Sequence, residues 1–256
     1  MKMTVNMAET AGSRTAIVRQ GFPKQKRREA VEKIMADPDL RAGQVGFESR
    51  PLHGGVLGRI EMAGGEFCAN AVRAYGYLLC KEREIDHCKV ESSGTREQLE
   101  IICDLERSTS AAQMPMPENM EMAGPDADHL YPLVTARGYS HVLCPDTGAD
   151  GETVKKLFEC VGAPYGFFGI HFFDEESLTP YVYSVHDGSV TKFPSCGTGS
   201  LAAAWYMSRN KPDGFHVFTL QEPGGELIVR IAKRQGRFAG TVGGTVTVED
   251  PKELEL

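Results

Sequence analysis

Two short stretches, GGEFCANA at residues 64–71 and PSCGTGS at residues 194–200, share one arrangement. In each, a cysteine follows small turn-forming residues and precedes a run with helical spacing. The apolar positions of the two runs are Ala71, Val72, Tyr75, Leu78 and Leu79, and then Leu201, Ala204, Trp205 and the smaller Ser208. This spacing forms one face of a helix, so Cys68 and Cys196 are each predicted at a helix N-terminus. Because Cys196 lies half a chain length after Cys68, we expect two similar domains.

A helix N-terminus suits an anion, because its first N–H groups are unpaired and the macrodipole is positive there. The same environment lowers the pKa of a thiol. We therefore expect the backbone N–H groups of two residue pairs, Ala69 with Asn70 and Gly197 with Thr198, to bind a substrate carboxylate. If the two helix starts face each other, one sulfur lies on either side of the neighbouring carbon. One thiolate can then remove a proton while the other thiol delivers one.

Composition excludes several classes of protein. The 256 residues are 41% hydrophobic and 25% charged, and the net charge is −7. An acidic chain disfavours nucleic acid or an anionic membrane as partner, in spite of the short basic run in residues 24–28. No apolar run reaches the ~20 residues of a membrane helix, and no signal peptide is evident, which indicates a cytoplasmic protein.

Seven cysteines without a CxxC motif indicate reduced thiols rather than a disulfide framework. The five outside the two stretches are interpreted as small core or surface hydrophobes: Cys80, Cys88, Cys103, Cys144 and Cys160. The histidines show no metal-ligand spacing, and there is no phosphate-binding glycine loop, so we expect neither a metal nor a cofactor.

The order of elements predicts an α+β fold with largely antiparallel sheets. Helices are predicted over 24–36, 69–83, 152–161 and 197–209. Strands are predicted over 14–20, 44–48, 56–62, 89–92, 98–105, 133–137, 139–143, 167–173, 181–185, 215–221, 226–232 and 237–248. Residues 108–125 have no clear period and are interpreted as a domain junction or a crossing strand with loops. The predicted domains are 1–115 and 116–256, with a last strand near 241–249 able to return to the first.

The two cysteine stretches resemble the active-site motifs of the diaminopimelate epimerase superfamily, the racemases and epimerases that use no pyridoxal phosphate. In that family each cysteine is followed by glycine, a polar residue and a small residue, as in Cys196-Gly197-Thr198-Gly199; the first stretch has Ala69 in place of the first glycine. The resemblance implies two mirror-like domains, each a mixed sheet around a central helix, with the site in the interdomain cleft. It also implies catalytic Cys68 and Cys196, an amino-acid substrate and no cofactor. Implied substrate-binding residues are Ser13, Ala69, Asn70, His141, Gly197 and Thr198.

Departures from diaminopimelate epimerase itself bear on the substrate. Ser13 stands where that enzyme has asparagine, residues 183–194 lack its Glu-Arg pair, and residues 138–141 (GYSH) replace its Asn-Pro-His turn. These changes remove groups that would recognise a distal amino-acid end. The loops are more similar to histidine racemases of opine metallophore synthesis, so histidine is the favoured substrate and diaminopimelate the alternative.

Other readings stay open at this point. An isomerase of the phenazine-biosynthesis type shares the fold but uses a carboxylate, against which both retained cysteines argue. A binding protein or thiol-based metal chaperone is the non-enzymatic alternative. Asn70 and His141 can each be structural instead of contacting substrate, and Glu66 can assist proton transfer or be a solvated turn residue. The sequence leaves open a homodimer, the pathway, and which cysteine serves which enantiomer.

Overall fold

The structure is a computed structural model and describes residues 1–19, 21–145, 151–162, 168–183 and 190–256. The strands are β1 Lys2–Thr10, β2 Ser13–Val18, β3 Gln44–Ser49, β4 Gly58–Met62, β5 His87–Ser92, β6 Leu99–Asp104, β7 Thr109–Met114, β8 Asn119–Ala123, β9 Tyr131–Ala136, β10 Tyr139–Cys144, β11 Phe168–Phe173, β12 Leu178–Tyr183, β13 Val190–Lys192, β14 Gly214–Glu222, β15 Gly225–Arg234, β16 Arg237–Thr245, β17 Thr247–Val248 and β18 Lys252–Glu255. The helices are α1 Arg27–Ala36, α2 Ala69–Arg83, α3 Gly151–Leu157 and α4 Gly197–Ser208.

The chain divides into two compact units. Unit 1 comprises Met1–Gln113 and Gly243–Leu256, and unit 2 comprises Met114–Val242. Each unit contains one of the two cysteine stretches and the helix that follows it.

Unit 1 is a mixed sheet in the order β7-β6-β5-β4-β3-β2-β1, and both β17 and β18 pair with β1. The pairs β2–β3 and β4–β5 are parallel, whereas β1–β2, β3–β4, β5–β6 and β6–β7 are antiparallel. The sequence prediction missed β1 altogether. Its residues, KMTVNMAET, include no aromatic type and mix three β-branched residues with lysine, asparagine, alanine and glutamate, so it carries little local strand signal.

Helix α2 lies against this sheet and is the centre of unit 1. Its first twelve residues, Ala69 to Cys80, are all buried, as expected of a helix surrounded by other elements. Arg73 is fully buried among them, and its guanidinium donates to the carbonyls of Ser110 and Thr245, at 3.3 and 3.4 Å. Those bonds satisfy part of a charge that would otherwise be costly to bury.

One ion-pair group fastens α1 to the sheet of unit 1. Glu61 on β4 accepts hydrogen bonds from Arg27 at 2.7 Å and from the Ser49 hydroxyl at 2.9 Å. Burial alone would raise the pKa of the Glu61 carboxyl, but these hydrogen bonds outweigh it and lower that pKa to about 2. The carboxylate is therefore the form that the folded protein favours.

Unit 2 contains a six-stranded sheet in the order β13-β12-β11-β10-β9-β8, in which only β10–β11 is parallel among the described strands. Strands β14, β15 and β16 lie outside this six-stranded sheet and follow one another in strand order, and β14–β15 is antiparallel. Helix α4 contacts β10, β11, β14 and β15, and its residues Gly197–Trp205 are buried. Unit 2 therefore also builds its sheets around one buried helix.

Most predicted elements are confirmed, with shifts at their ends. The helix predicted at 69–83 is observed with those bounds. The one predicted at 24–36 begins with a 3₁₀ turn at Lys24–Lys26 before α1, and the one at 152–161 continues α3 as a π-helical stretch at Phe158–Gly162. The stretch at 108–125, which had no clear period, forms β7 and β8.

Parts of three predicted strands, at residues 20, 167 and 184–185, lie outside the described residues. So does half of the segment 183–194 in which the Glu-Arg pair is lacking, namely residues 184–189. None of the helices in the described part of the chain is long and apolar enough to cross a membrane.

Candidate active site

Cys68 caps the N-terminus of α2, as the sequence predicted. Its backbone is extended, with φ −124° and ψ 109°, and its sulfur accepts from the N–H of Ala71 at 3.5 Å. The loop before it is clamped by Ser93, whose hydroxyl donates to the carbonyl of Glu66 at 2.7 Å and accepts from the N–H of Met62 at 2.9 Å. The thiol is thus held at the positive end of a buried helix.

A short polar chain leads away from Cys68 into the sheet. The thiol donates to Oε1 of Gln44 at 3.1 Å, and Nε2 of Gln44 donates to Oγ1 of Thr15 at 2.6 Å. Thr15 and Gln44 are register partners on the parallel strands β2 and β3. Sequence reasoning missed both residues, because nothing in their local pattern links them to the cysteine.

The other candidates of unit 1 have the following positions. Ser13 is buried and begins β2, directly after a turn at Ala11 and Gly12 with positive φ angles of 46° and 75°. Ala69 and Asn70 are both buried in the first turn of α2. Glu66 is only partly exposed, and its burial raises the pKa of its carboxyl, which argues against a freely solvated turn residue.

Cys196 is likewise the N-cap residue of its helix, α4, with an extended backbone at φ −140° and ψ 96°. Its N–H donates to Oε2 of the buried Glu222, at the end of β14, at 2.7 Å, and the other oxygen of Glu222 accepts from the Ser200 hydroxyl. The N–H of Gly224 also donates to the carbonyl of Pro194 at 2.7 Å. The second cysteine loop is therefore fixed to the turn after β14 from both sides.

The pKa of the Cys196 thiol does not move in the predicted direction. Burial raises it to about 11, and the negative charge of Glu222 adds to the rise. Hydrogen bonds from the Thr198 side chain and from the N–H groups of Thr198 and Gly199 oppose the rise without cancelling it. The expectation of a lowered pKa is wrong for Cys196, because desolvation exceeds the effect of the helix terminus. At neutral pH this residue is a thiol.

Two buried histidines continue from Cys196 through Thr198. The Cys196 sulfur lies 3.4 Å from Oγ1 of Thr198, which lies 2.9 Å from Nε2 of His141. Nδ1 of His141 lies 2.9 Å from Nε2 of His171. Burial lowers the pKa of both imidazoles, that of His171 to about 3, so both are neutral. His141 was a sequence candidate for substrate binding, but it is fully buried and contacts Thr198.

Sequence reasoning missed His171 and Glu222, which reach the site from β11 and β14. Among the described residues, His141, His171 and Cys196 are the one group of potential metal ligands whose donor atoms all lie within 4.8 Å of one another. Three of the four imidazole nitrogens are already hydrogen-bonded to each other or to Thr198, and only Nδ1 of His171 has no partner among the described residues. The arrangement therefore fits a hydrogen-bonded chain better than a metal centre.

The fold is shared with known enzymes. A hydroxyproline epimerase from Agrobacterium vitis, with bound trans-4-hydroxy-L-proline, superimposes with a TM-score of 0.69 at 14% identity, over 99% of this chain and 92% of that one. A Bacillus anthracis phenazine biosynthesis protein of the PhzF family does so with a TM-score of 0.69 at 12% identity, over the whole of both chains. These likenesses confirm the predicted α+β class and define it as the mixed-sheet fold of proline racemase-like and PhzF-like proteins.

Sequence relatives narrow this class to one family. The family model described as "Histidine racemase CntK N-terminal domain" matches residues 6–249. A histidine racemase from Fusobacterium nucleatum subsp. nucleatum is 30% identical over 196 residues, 70% of this chain and 71% of that protein. Another from Staphylococcus aureus is 24% identical over 253 residues, 93% of this chain and 92% of that protein. The chain belongs to the histidine racemase CntK family. The predicted resemblance to amino-acid racemases, and with it the isomerase class, is confirmed.

Proposed function

We propose that this protein racemises histidine without a cofactor, and that Cys68 and Cys196 are the two groups that exchange protons with the α-carbon. The observation that carries the proposal is that each unit places one cysteine as the N-cap of a buried helix. The names of the relatives support histidine as substrate. An exchange between enantiomers needs an acid on one face of the carbon and a base on the other, and two equivalent thiols fit that need.

In this mechanism the substrate carboxylate is bound by N–H groups in the first turns of α2 and α4, those of Ala69, Asn70, Gly197 and Thr198. One sulfur, as thiolate, takes the α-proton, and the electron pair of the C–H bond passes into the carboxylate to give an enediolate. The same N–H groups stabilise the added negative charge. The second thiol then gives its proton to the opposite face of the carbon, so the site ends with the two protonation states exchanged.

The protonation state of Cys196 fits one direction of this cycle. Cys196 is a thiol at neutral pH and is ready to donate, so Cys68, once it has lost the proton that it donates to Gln44, is the base for the enantiomer whose α-proton faces it. For the other enantiomer the roles exchange. Ser13 is kept as a candidate substrate contact, because it is placed at a turn near the start of β2. We assign His141 to a contact with the Thr198 side chain instead of a contact with the substrate.

The test is loss of the α-proton in deuterated water, followed by NMR, for L- and D-histidine separately. We expect C68S and C196S each to lose racemisation by about three orders of magnitude, in line with the effect of general acid–base groups. The matched control is C160S, since Cys160 is an exposed cysteine of unit 2; it should retain full activity. Full racemisation by either site variant would refute the two-thiol mechanism.

A substrate panel separates the alternatives. Histidine should exchange and invert, whereas diaminopimelate should do neither; the reverse result would make the chain a diaminopimelate epimerase. Tight zinc binding without exchange at any amino-acid α-carbon would instead favour a binding protein. Light scattering on the same preparation tests the homodimer, by comparing the mass in solution with the 28.0 kDa of one chain.

A further inference from the structure

We propose that His171 and His141 are positioning residues that hold the Thr198 hydroxyl as a hydrogen-bond donor toward the sulfur of Cys196. This inference rests on the proposed function only in giving the hydrogen bond to Cys196 a role in catalysis. The hydrogen-bonded chain itself is a property of unit 2 and can be measured without turnover. It runs from His171 through His141 and Thr198 to Cys196, with contacts of 2.9, 2.9 and 3.4 Å.

The number of protons on the two imidazoles limits their own hydrogen bonds to two directions. Both imidazoles are fully buried and neutral, so each carries one N–H. In the first direction Nε2–H of His171 donates to Nδ1 of His141, Nε2–H of His141 donates to Thr198, and the Thr198 hydroxyl donates to Cys196. In the second direction every bond is reversed, and the thiol of Cys196 donates to Thr198. A mismatch between the two imidazoles breaks the bond between them, because two lone pairs or two protons then meet. The Thr198 oxygen has two lone pairs, so in a third state it accepts from both His141 and a Cys196 thiol, but a thiolate cannot form that state.

The two directions differ at the far end of the chain. Nδ1 of His171 is buried and has no hydrogen-bond partner among the described residues. The first direction leaves a lone pair at that atom, and the second leaves an N–H. Among backbone groups, a buried N–H without an acceptor is rarer than an under-satisfied acceptor, and the same preference favours the first direction here.

The first direction also serves both protonation states of Cys196. A thiolate cannot donate, so it needs Thr198 as donor, and a charged acceptor strengthens that bond. When Cys196 is a thiol, its own proton is not used in a bond to Thr198 and can point toward a substrate carbon. In the second direction the thiol proton is directed at Thr198 and is withheld from the reaction.

The backbone is adapted to this imidazole pair. A Cβ at Gly199 on α4 would lie 2.5–2.8 Å from three ring atoms of His171. A Cβ at Gly169, beside His171 on β11, would lie 2.8 Å from Nε2 of His171 and 2.9 Å from Nδ1 of His141. Glycine at both positions leaves the rings in hydrogen-bond contact, because any larger residue would occupy that space.

The electrostatic surroundings of Cys196 come from the four strands against which α4 mainly packs, β10, β11, β14 and β15. Strand β10 presents His141, β11 presents His171, and β14 presents Glu222, whose charge raises the pKa of the thiol. The buried side chains of β15 are apolar: Leu227, Val229 and Ile231. A change in the reactivity of the Cys196 thiolate after substitution of His171 can therefore be assigned to the hydrogen-bonded chain, provided that Glu222 is unchanged.

The experiment measures alkylation of Cys196 by iodoacetamide against pH, quantified by peptide mass spectrometry. We expect H171F, which removes the N–H, to slow alkylation at pH 8 about five-fold, because a donor to the thiolate is weakened. H171Q keeps an N–H donor and should restore much of the rate. The control I170V alters the same strand without removing any member of the hydrogen-bonded chain, and its Cys196 should be alkylated at the wild-type rate. An unchanged rate in H171F, or equal slowing in H171F and H171Q, overturns the inference.

A measurement on the wild-type protein covers the case in which H171F does not fold. Long-range ¹H–¹⁵N NMR reports the tautomer of each histidine, and we expect Nε2–H for both His141 and His171. An Nδ1–H tautomer at His141 overturns the inference. Failure of the proposed function can be distinguished from failure of this inference. Racemisation by C196S together with slow alkylation in H171F would refute the two-thiol mechanism and support the hydrogen-bonded chain.

Discussion

Substitution of Gly199 by alanine tests how closely the helix start and the imidazole pair are fitted. Gly199 lies in the first turn of α4, and the added Cβ would come within 2.5 Å of the His171 ring. Ordinary contact begins at 3.4 Å, so the ring must withdraw by roughly 0.9 Å. That movement breaks or lengthens the 2.9 Å hydrogen bond to His141.

The magnitude follows from three opposing contributions to the free energy of unfolding. Alanine gains about 1 kcal/mol over glycine from helix propensity. Overpacking costs about 1–3 kcal/mol, and the lost hydrogen bond about 1 kcal/mol more. We expect G199A to be destabilised by about 1–3 kcal/mol in total. Racemisation should fall by about ten-fold or more, because the orientation of the Thr198 hydroxyl is lost.

The matched control is G76A in α2, where a Cβ would lie 2.7 Å from the side chain of Ile101. It makes a comparable clash in a buried helix but breaks no hydrogen bond of the site. Urea unfolding and α-proton exchange are measured on both variants at a temperature where both are folded. We expect similar losses of stability and a loss of activity confined to G199A. If G199A racemises histidine as fast as G76A, the fitted contact with His171 has no role.

Three further predictions concern charge and proton position. E222Q removes the negative charge beside Cys196 and should bring the pKa of that thiol below about 11. The measurement is the rate of Cys196 alkylation against pH, which should rise at a lower pH in E222Q than in the wild-type protein. Q44M removes the hydrogen-bond acceptor of the Cys68 thiol, and we expect racemisation to fall about ten-fold while the unfolding midpoint changes little. Equal racemisation rates for Q44M and the wild-type protein would contradict a role for that hydrogen bond. Glu61 has a folded-state pKa of about 2, below its unfolded value, so its contribution to stability is present above about pH 4.5 and is lost as pH falls toward 2. E61Q should therefore be destabilised at pH 7 by about 1–2 kcal/mol and lose that difference from wild type in acid, as measured by urea unfolding at a series of pH values.

The helix starts were predictable because their signals are local. A cysteine after small turn-forming residues and before a helical run indicates an N-cap without reference to the rest of the chain, and both Cys68 and Cys196 occupy one. Strand β1 was not predictable, because Met, Ala and Asn form a strand there only through pairing with β2, β17 and β18.

The groups that surround each cysteine depend on strand register and not on spacing in sequence. Gln44 and Thr15 meet through the pairing of β2 with β3, and His171 reaches His141 through the pairing of β10 with β11. The raised pKa of Cys196 could not be predicted for the same reason. It comes from burial of the thiol, which depends on tertiary packing and not on the neighbouring sequence.

The bond from Arg73 to the carbonyl of Thr245 has a consequence for synthesis on the ribosome. Unit 1 needs residues 243–256, and β1 has an open edge until β17 and β18 pair with it. Residues 114–242 form a continuous segment and are synthesised before residues 243–256. Unit 2 can therefore complete its structure while the earlier-made half of the chain is still waiting for its last strands, and during that interval chaperones have an exposed strand to protect.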